Sequence, residues 1–129
     1  MQVLNNNMLD FTNKFTIDYK LIKKVSVQNV SFKTGMINGI TVLNLDTRDS
    51  VEWFESNIAK ICDLNCHVVN TPRSGVHLYF EYSENFTMNK IMNIDILNNN
   101  NNVFYGKGYT LVKFSDSLEM VPEKLLEFC

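Results

Sequence analysis

Hydrophobic and polar residues alternate with a period of two along several short stretches of the chain. This pattern is typical of β-strands that bury one face. It is clearest at 76–81, where Val76, Leu78 and Phe80 fall on one predicted face and His77 falls on the other. The same pattern predicts further strands at 30–35, 40–46, 92–97, 103–105 and 109–112, and it predicts a hairpin or two short linked strands over 67–81.

Other stretches place apolar residues at the helical spacing of three to four. Thr16 is predicted to cap a helix over 17–25, and Pro122 suits the first turn of a final helix. Between them, Asp49 and Glu52 form a predicted capping box. The helix that follows this box is predicted to bury Val51, Trp53, Phe54, Ile58 and Ile61, and the final helix is predicted to bury Leu125, Leu126 and Phe128.

Two glycine-containing turns are predicted to join strands into hairpins. Asn38-Gly39 is the stronger signal, because both residue types accept the positive φ that a tight hairpin turn needs. Gly106-Lys107-Gly108 is predicted to join a second pair of strands. The element order α, β-hairpin, α, β, β, β, β-hairpin, α predicts an α+β domain with a mostly antiparallel sheet and helices packed on one face.

The open face of this sheet is predicted to carry polar side chains. Alternation places Asn44 and Asp46 side by side on one strand, His77 on a second strand and Asp95 on a third. A carboxylate among apolar strand residues is costly to bury unless it is paired, hydrogen-bonded or bound to a cation. These four residues are therefore candidates for a catalytic or cation-binding site.

The loop that precedes His77 is a second candidate. Pro72 and Gly75 favour a tight turn, and Arg73, Ser74 and free backbone N–H groups offer hydrogen-bond donors. An anion such as phosphate binds to clustered donors and to the fork of a guanidinium group. The alternative is an ordinary hairpin turn that leads into a strand with a half-exposed histidine.

Composition limits the class of protein. The 129 residues suffice for one domain, and no apolar run approaches the roughly 18–20 residues of a membrane span. Three cysteines without an export signal predict reduced thiols and an intracellular setting. The net charge of −2 argues against a constitutive polyanion binder, but it leaves a local basic groove or metal-assisted nucleotide binding open.

Cys62, Cys66 and His67 raise the alternative of a zinc site. The sequence holds one such cluster, and no second ligand pair follows at zinc-finger spacing. Cys62 also continues the apolar face of the preceding helix. A buried thiol and a histidine at the entry of a strand are the favoured interpretation.

Three segments, in this order, resemble one known family. They are 34–46 with Thr34-Gly35 and Asn44-Leu45-Asp46, then Thr71-Pro72-Arg73-Ser74-Gly75-Val76-His77-Leu78-Tyr79-Phe80, then Ile94-Asp95-Ile96. Over about residues 30–112 the chain resembles the archaeo-eukaryotic primase superfamily, and most of all the primase–polymerase domain at the front of viral and plasmid primase–helicases. The middle segment is the most specific, since a D-x-D or a single aspartate means little alone.

The resemblance implies an RRM-like, palm-type catalytic sheet in a single domain over residues 1–129. It implies template-directed nucleotide addition in DNA replication with Mg²⁺ or Mn²⁺, acting on nucleoside triphosphates and on a single-stranded or primed DNA template. A helicase module or another replication protein is an implied partner. The implied location is the cytoplasm or a viral replication compartment, with no membrane.

The resemblance also implies roles for individual residues. The implied catalytic residues and metal ligands are Asp46, Asp95 and Asn44. The cations would activate the primer 3′-hydroxyl and stabilise the leaving pyrophosphate. The implied contacts of the incoming triphosphate are His77, Arg73, Ser74 and Gly75. Lys107 is assigned to a phosphate by its charge and not by a motif.

Asn44 departs from the family pattern, because it stands where the family has the first aspartate of its D-x-D pair. A neutral amide oxygen can ligate a cation, but without the charge that makes a Mg²⁺ site strong. The sequence also contains no helicase or zinc module, and five asparagines follow Asp95 at 98–102. The chain is therefore either a catalytic fragment or a stand-alone, degenerate relative.

Two alternatives to an active enzyme remain open. The first is a catalytically inactive primase-fold module that binds a nucleotide, single-stranded nucleic acid or a replication partner. The second is an unrelated RRM-like binder. Such domains stack bases on aromatic residues of the sheet, and only Tyr79 lies on the appropriate predicted face.

Overall fold

The computed structural model of the protein describes residues 2–4, 8–11, 30–84, 90–91, 93–123 and 125. Its strands are β1 (Gln2–Leu4), β2 (Met8–Phe11), β3 (Val30–Lys33), β4 (Ile40–Leu45), β5 (His67–Asn70), β6 (Val76–Glu81), β7 (Lys90–Ile91), β8 (Ile94–Leu97), β9 (Asn102–Tyr105) and β10 (Thr110–Lys113). Its helices are α1 (Arg48–Ser56) and α2 (Ile58–Cys62).

The strands form two sheets. The larger has six strands in the order β10-β5-β6-β4-β8-β7, and every neighbouring pair is antiparallel. The smaller has the order β1-β2-β3-β9, in which only β2 and β3 are parallel. The predicted α+β class with a mostly antiparallel sheet is therefore confirmed.

One face of the six-stranded sheet packs against both helices. The main core on this face consists of Leu43, Leu45, Trp53, Phe54, Ile61, Cys66, Val68, Val76, Leu78, Phe80, Ile94, Ile96, Val121 and Leu125. The alternation predicted for β6 is confirmed, because Val76, Leu78 and Phe80 all belong to this core. Helices on one face of the sheet are confirmed as well.

The second face of the six-stranded sheet, here called the polar face, is covered over part of its length. Val103 and Tyr105 of β9 belong to the same buried cluster as Val42 of β4 and Tyr79 of β6. The prediction of an open face is wrong for this part of the sheet. Strand β9 can pack on this part of the polar face because the residues that β4 and β6 present there are apolar or aromatic.

Helix α1 is capped two residues earlier than the sequence predicts. The Thr47 Oγ1 atom accepts a hydrogen bond from the Ser50 N–H at 3.2 Å, and the Ser50 hydroxyl accepts one from the Thr47 N–H at 3.1 Å. This reciprocal pair is the capping box, so the predicted box of Asp49 and Glu52 is wrong. A threonine oxygen in this extended position satisfies the first helical N–H groups equally well.

The predicted helix after β4 is divided into two. The side chain of Asn57 donates to the Trp53 carbonyl at 2.8 Å and ends α1 there. Trp53, Phe54 and Ile61 are buried as predicted. Ile58 is 46% exposed, because the interruption at Asn57 turns the start of α2 away from the core.

Both predicted glycine hairpins are wrong in their pairing. At Asn38-Gly39 the chain does reverse, with a single bridge between Gly35 and Ile40, but β3 then pairs with β9 in the smaller sheet. At 106–108 the chain also turns, yet β9 and β10 belong to different sheets. Turn residues fix where a chain reverses, and the partners of the flanking strands depend on long-range contacts.

Two of the predicted helices lie wholly or partly outside the described residues. The helix over 17–25 that Thr16 would cap lies outside the described residues, as do Leu126 and Phe128. The Leu125 N–H donates to the Pro122 carbonyl at 3.0 Å, and Leu125 is buried.

Among the described residues, no helix is long and apolar enough to cross a membrane.

Candidate functional site

Three neighbouring strands bring the polar candidates together. In the β4–β6 ladder Asn44 lies opposite His77, and in the β4–β8 ladder the same Asn44 lies opposite Asp95. Side chains of directly opposed residues leave the sheet on the same face, with Cβ atoms about 5 Å apart. The polar face therefore carries a row of imidazole, amide and carboxylate, as the alternation predicts.

Asp46 lies just beyond the end of β4, beside this row. It is exposed to solvent, and its Oδ2 atom is 3.5 Å from the Asn44 side-chain nitrogen. The predicted proximity of Asn44 and Asp46 is confirmed. The negative charge of Asp46 also acts on His77, since it raises the pKa of that imidazole against the larger effect of burial.

His77 is a neutral histidine with one nitrogen buried. Its side chain is 8% exposed, and burial lowers its pKa from 6.5 to about 4. The Nδ1 atom has no hydrogen-bond partner among the described residues. At neutral pH the ring is uncharged, so it can give one N–H to a ligand but brings no positive charge of its own.

The loop between β5 and β6 holds itself together with its own hydrogen bonds. The Gly75 N–H donates to Thr71 Oγ1 at 3.0 Å, and the Ser74 N–H donates to the Thr71 carbonyl at 3.2 Å. These two N–H groups are not free, which corrects the expectation of an open cradle of backbone donors. What the loop presents to solvent is the exposed side chains of Arg73 and Ser74.

Gly75 is required where the loop meets β4. A Cβ atom at this position would lie 2.8 Å from the Leu45 carbonyl oxygen and 2.9 Å from Thr71 Oγ1. Real side chains do not tolerate such distances without a backbone shift. Gly75 therefore lets the loop sit directly against the end of β4, next to Asp46.

Lys107 is brought near this loop by the turn at 106–108. Gly108 has a positive φ of 90°, and a Cβ atom there would lie 3.0 Å from the Cγ atom of Pro72. The turn therefore packs against the loop, with Lys107 exposed at its tip. Lys107 thus lies on a turn that packs against the loop carrying Arg73, and its assignment to a phosphate stays a prediction.

A cleft of about 360 Å³ opens between the loop and the first turns of α1. It is lined by Asp46, Thr47, Arg48, Val51, Glu52, Glu55, Arg73 and Ser74. Sequence reasoning did not assign Arg48 and Glu55 to the site, although both belong to a helix that begins just after β4, the strand of Asn44. Arg48 is paired with Glu52, Nε to Oε1, at 3.1 Å.

Tyr109 is another residue that sequence reasoning missed. Its ring centre lies 6.1 Å from that of His77 and 5.7 Å from that of Phe104. In sequence it reads only as the first residue of a predicted strand, and no local signal places it beside His77. It lies there because β9 and β10 enter different sheets and the turn between them returns over the polar face.

The donors available to a cation are two carboxylates and an amide. Oxygen atoms of this kind suit Mg²⁺ and Mn²⁺. Asp46, Asp95 and Asn44 fit such an ion in type, but the charge they provide is that of two carboxylates. In the part of the chain that the structure describes, no group of three or more His, Cys, Asp and Glu side chains could hold a metal ion.

Cys66 and His67 are structural. Burial raises the pKa of the Cys66 thiol to about 11, and its sulfur lies 3.7 Å from the Ile61 carbonyl oxygen. His67 stacks on Phe114, and its Nδ1 atom accepts a hydrogen bond from the Ser115 N–H at 3.1 Å. The histidine at the start of a strand is confirmed, whereas Cys62, the thiol expected to be buried, is half-buried and Cys66 is the buried one.

Comparison with protein-family models gave no match, and comparison with curated proteins gave none either. The resemblance to the primase superfamily therefore stays a prediction from the three short sequence segments.

Proposed function

We propose that this chain is a primase–polymerase-like nucleotidyltransferase domain. It would add nucleotides to DNA under the direction of a template, with Mg²⁺ or Mn²⁺. The observation that carries the proposal is the register of β4, in which Asn44 stands between His77 and Asp95. The three segments are far apart in sequence, yet they meet on one face of the sheet. A chance match of short motifs would not bring them together in this way.

The proposal assigns the metal to Asp46, Asp95 and the side-chain oxygen of Asn44. A divalent cation there would activate the primer 3′-hydroxyl and stabilise the pyrophosphate that leaves. Asp46 is exposed and Asp95 half-buried, so both carboxylates can be reached from solvent. Asn44 would bring an oxygen ligand without charge, and the site would bind its cation weakly.

The incoming triphosphate is assigned to the surface next to the metal ligands. Arg73 and Lys107 are exposed cations on two segments that pack together, and they supply the charge that a neutral His77 does not. Gly75 lets the loop lie against β4. In this assignment His77 gives directional hydrogen bonding and the two cations give most of the attraction.

The RRM-like or palm-type character of the sheet belongs to the same proposal. It is supported by the antiparallel order β6-β4-β8 and by the two helices on the opposite face. The partners that go with it are a single-stranded or primed DNA template and a helicase module or other replication protein. The corresponding location is the cytoplasm or a viral replication compartment.

A second candidate function is a catalytically inactive module that binds nucleotides or single-stranded nucleic acid. The observation that favours it is the amide of Asn44, whose nitrogen lies 3.5 Å from the Asp46 carboxylate. In that orientation the amide stabilises Asp46 by hydrogen bonding, a role that a cation would otherwise have. The net charge of −2 also suits a weak or partner-dependent binder of DNA.

Template-dependent nucleotide incorporation separates these functions. The unmodified chain, its Asn44→Asp variant and a matched Asn99→Asp variant, at an exposed position in the 98–101 loop, are compared under Mg²⁺ and under Mn²⁺. If the unmodified chain incorporates nucleotides and its Asp46→Asn variant does not, the enzymatic proposal is supported. Incorporation by the Asn44→Asp variant alone supports an inactive relative on an intact scaffold, and none in any folded variant overturns the enzymatic proposal.

A further inference from the structure

An aromatic cluster lies beside His77, and neither the motifs nor the metal ligands account for it. The ring of Tyr109 has its centre 5.7 Å from Phe104, 5.8 Å from Tyr105 and 6.1 Å from His77. Tyr105 is buried, whereas Tyr109 and Phe104 are half-buried. Tyr109 is thus held by rings beside and behind it and still presents part of its surface to solvent.

Tyr79 cannot serve as an aromatic platform, although the sequence makes it the obvious choice. It lies on the polar face, but it is 2% exposed because β9 covers it. A base needs the open face of a ring in order to stack. Among the described residues, the half-buried ring that adjoins His77 is that of Tyr109, in the segment just before β10.

The position of Tyr109 relates it to the surface assigned to phosphates. Gly108, its neighbour in sequence, packs against Pro72 in the loop that carries Arg73. The guanidinium of Arg73 is close enough to favour the ionised form of the Tyr109 hydroxyl, although burial has the larger effect and raises its pKa. Tyr109 therefore adjoins His77 and lies within electrostatic range of Arg73.

We propose that Tyr109, supported by Phe104, stacks against the base of a nucleoside triphosphate whose phosphates contact His77 and Arg73. The inference rests on the proposed function and adds the base-binding half of that site. Only the sugar separates the base of a nucleotide from its first phosphate, so a ring that adjoins the phosphate contacts lies within reach of the base. Stacking on one ring does not discriminate strongly among bases, because every base has a π-face.

The test compares a nucleoside triphosphate with inorganic tripolyphosphate, which has similar phosphate chemistry but no base. Binding of both is measured by calorimetry in the presence of Mg²⁺. The unmodified chain is expected to bind the nucleotide roughly tenfold more tightly than tripolyphosphate. Tyr109→Leu is expected to remove that difference by weakening nucleotide binding alone, and Tyr109→Phe is expected to keep it.

Two further variants test whether the effect of Tyr109→Leu on nucleotide binding is purely structural. Tyr82→Leu replaces a half-buried tyrosine just beyond β6, at the end far from His77, and is expected to leave both affinities unchanged. Tyr109→Trp keeps a flat ring at the site. Its fluorescence is expected to be quenched by the nucleotide and not by tripolyphosphate, against the background of the buried Trp53.

The outcomes distinguish this inference from the function on which it rests. Equal affinity of the unmodified chain for both ligands overturns the stacking role and leaves the triphosphate site standing. The stacking role is also overturned if Tyr109→Leu weakens the binding of both ligands equally. If neither the nucleotide nor tripolyphosphate binds the folded, unmodified chain, the proposed function and the stacking role are overturned together.

Discussion

Asn44 lies directly opposite His77 across the antiparallel β4–β6 ladder, and Asp95 lies opposite the same Asn44 on its other side. An uncharged amide thus separates an imidazole from a carboxylate. Asp46 adds a second carboxylate next to this row. A change of charge at Asn44 therefore acts on three neighbours at once.

Replacement of Asn44 by aspartate is expected to make stability depend on metal. Without a cation, the new carboxylate would be repelled by Asp46 and Asp95, which lowers the free energy of unfolding by roughly 1–2 kcal/mol. A divalent cation would relieve this repulsion and stabilise the folded variant. Thermal unfolding in a chelator and in Mn²⁺ measures both effects.

The Asn99→Asp variant is the control, since it adds the same charge in an exposed loop. It is expected to unfold like the unmodified chain and to gain little from Mn²⁺. An equal response of the two variants to Mn²⁺ would mean that the cation does not bind beside Asn44.

Stability is expected to decrease as the pH falls from 7.5 to 5. Burial lowers the pKa of both His67 and His77 from 6.5 to about 4, so both rings stay neutral in the folded state over this range. In the unfolded chain they take up protons as the pH falls below about 6.5, which favours unfolding. Each ring should account for about 2 kcal/mol of the loss at pH 5.

Urea unfolding at the two pH values tests this dependence. The single variants His67→Gln and His77→Gln are each expected to remove about half of the histidine contribution, whatever their stability at pH 7.5. A variant that loses as much stability on acidification as the unmodified chain would show that its histidine is not held neutral in the fold.

Replacement of Gly75 by alanine is expected to destabilise the protein by roughly 1–3 kcal/mol. The added Cβ would lie 2.8 Å from the Leu45 carbonyl oxygen, so backbone must move. Gly39→Asn is a suitable comparison, because Gly39 has a φ of 69°, which asparagine tolerates, and open space around the position of a Cβ. Urea denaturation should show a clear loss for the first variant and a small change for the second.

Replacement of Thr47 by alanine is expected to cost about 1 kcal/mol, because the Ser50 N–H loses its acceptor at the start of α1. Thr47→Ser keeps the hydroxyl and should retain most of the stability. Thermal unfolding of both variants measures the cap. If the serine variant were as unstable as the alanine variant, the threonine methyl group and not its oxygen would be responsible.

The polar row was predictable from sequence in part. A strand with a period of two fixes which face each residue occupies, so Asn44, His77 and Asp95 could be assigned to one face. Their direct opposition could not be assigned. A shift of register by two residues keeps every side chain on its face but moves the row apart.

The cover over part of the polar face was beyond the reach of local pattern. Strand β9 forms the cover and pairs with β3, and Thr34 continues this pairing: its N–H donates to the Asn101 carbonyl at 2.8 Å, and its carbonyl accepts from the Asn100 N–H at 3.0 Å. These contacts join residues that are far apart in sequence and draw β3 toward β9. No turn signal encodes them, and so the burial of Tyr79 and the position of Tyr109 could not be foreseen.

The packing around His77 on the polar face has a consequence for the charge of this side chain. The imidazole of His77 is kept neutral by its burial, and Tyr109, from the segment after β9, adjoins it. Strand β9 itself belongs to the smaller sheet. Displacement of Tyr109 would hydrate the ring and return its pKa toward 6.5, so that below about that pH the ring would take up a proton next to Asp46. The segment that joins the two sheets thus influences the ionisation of a side chain in the larger one.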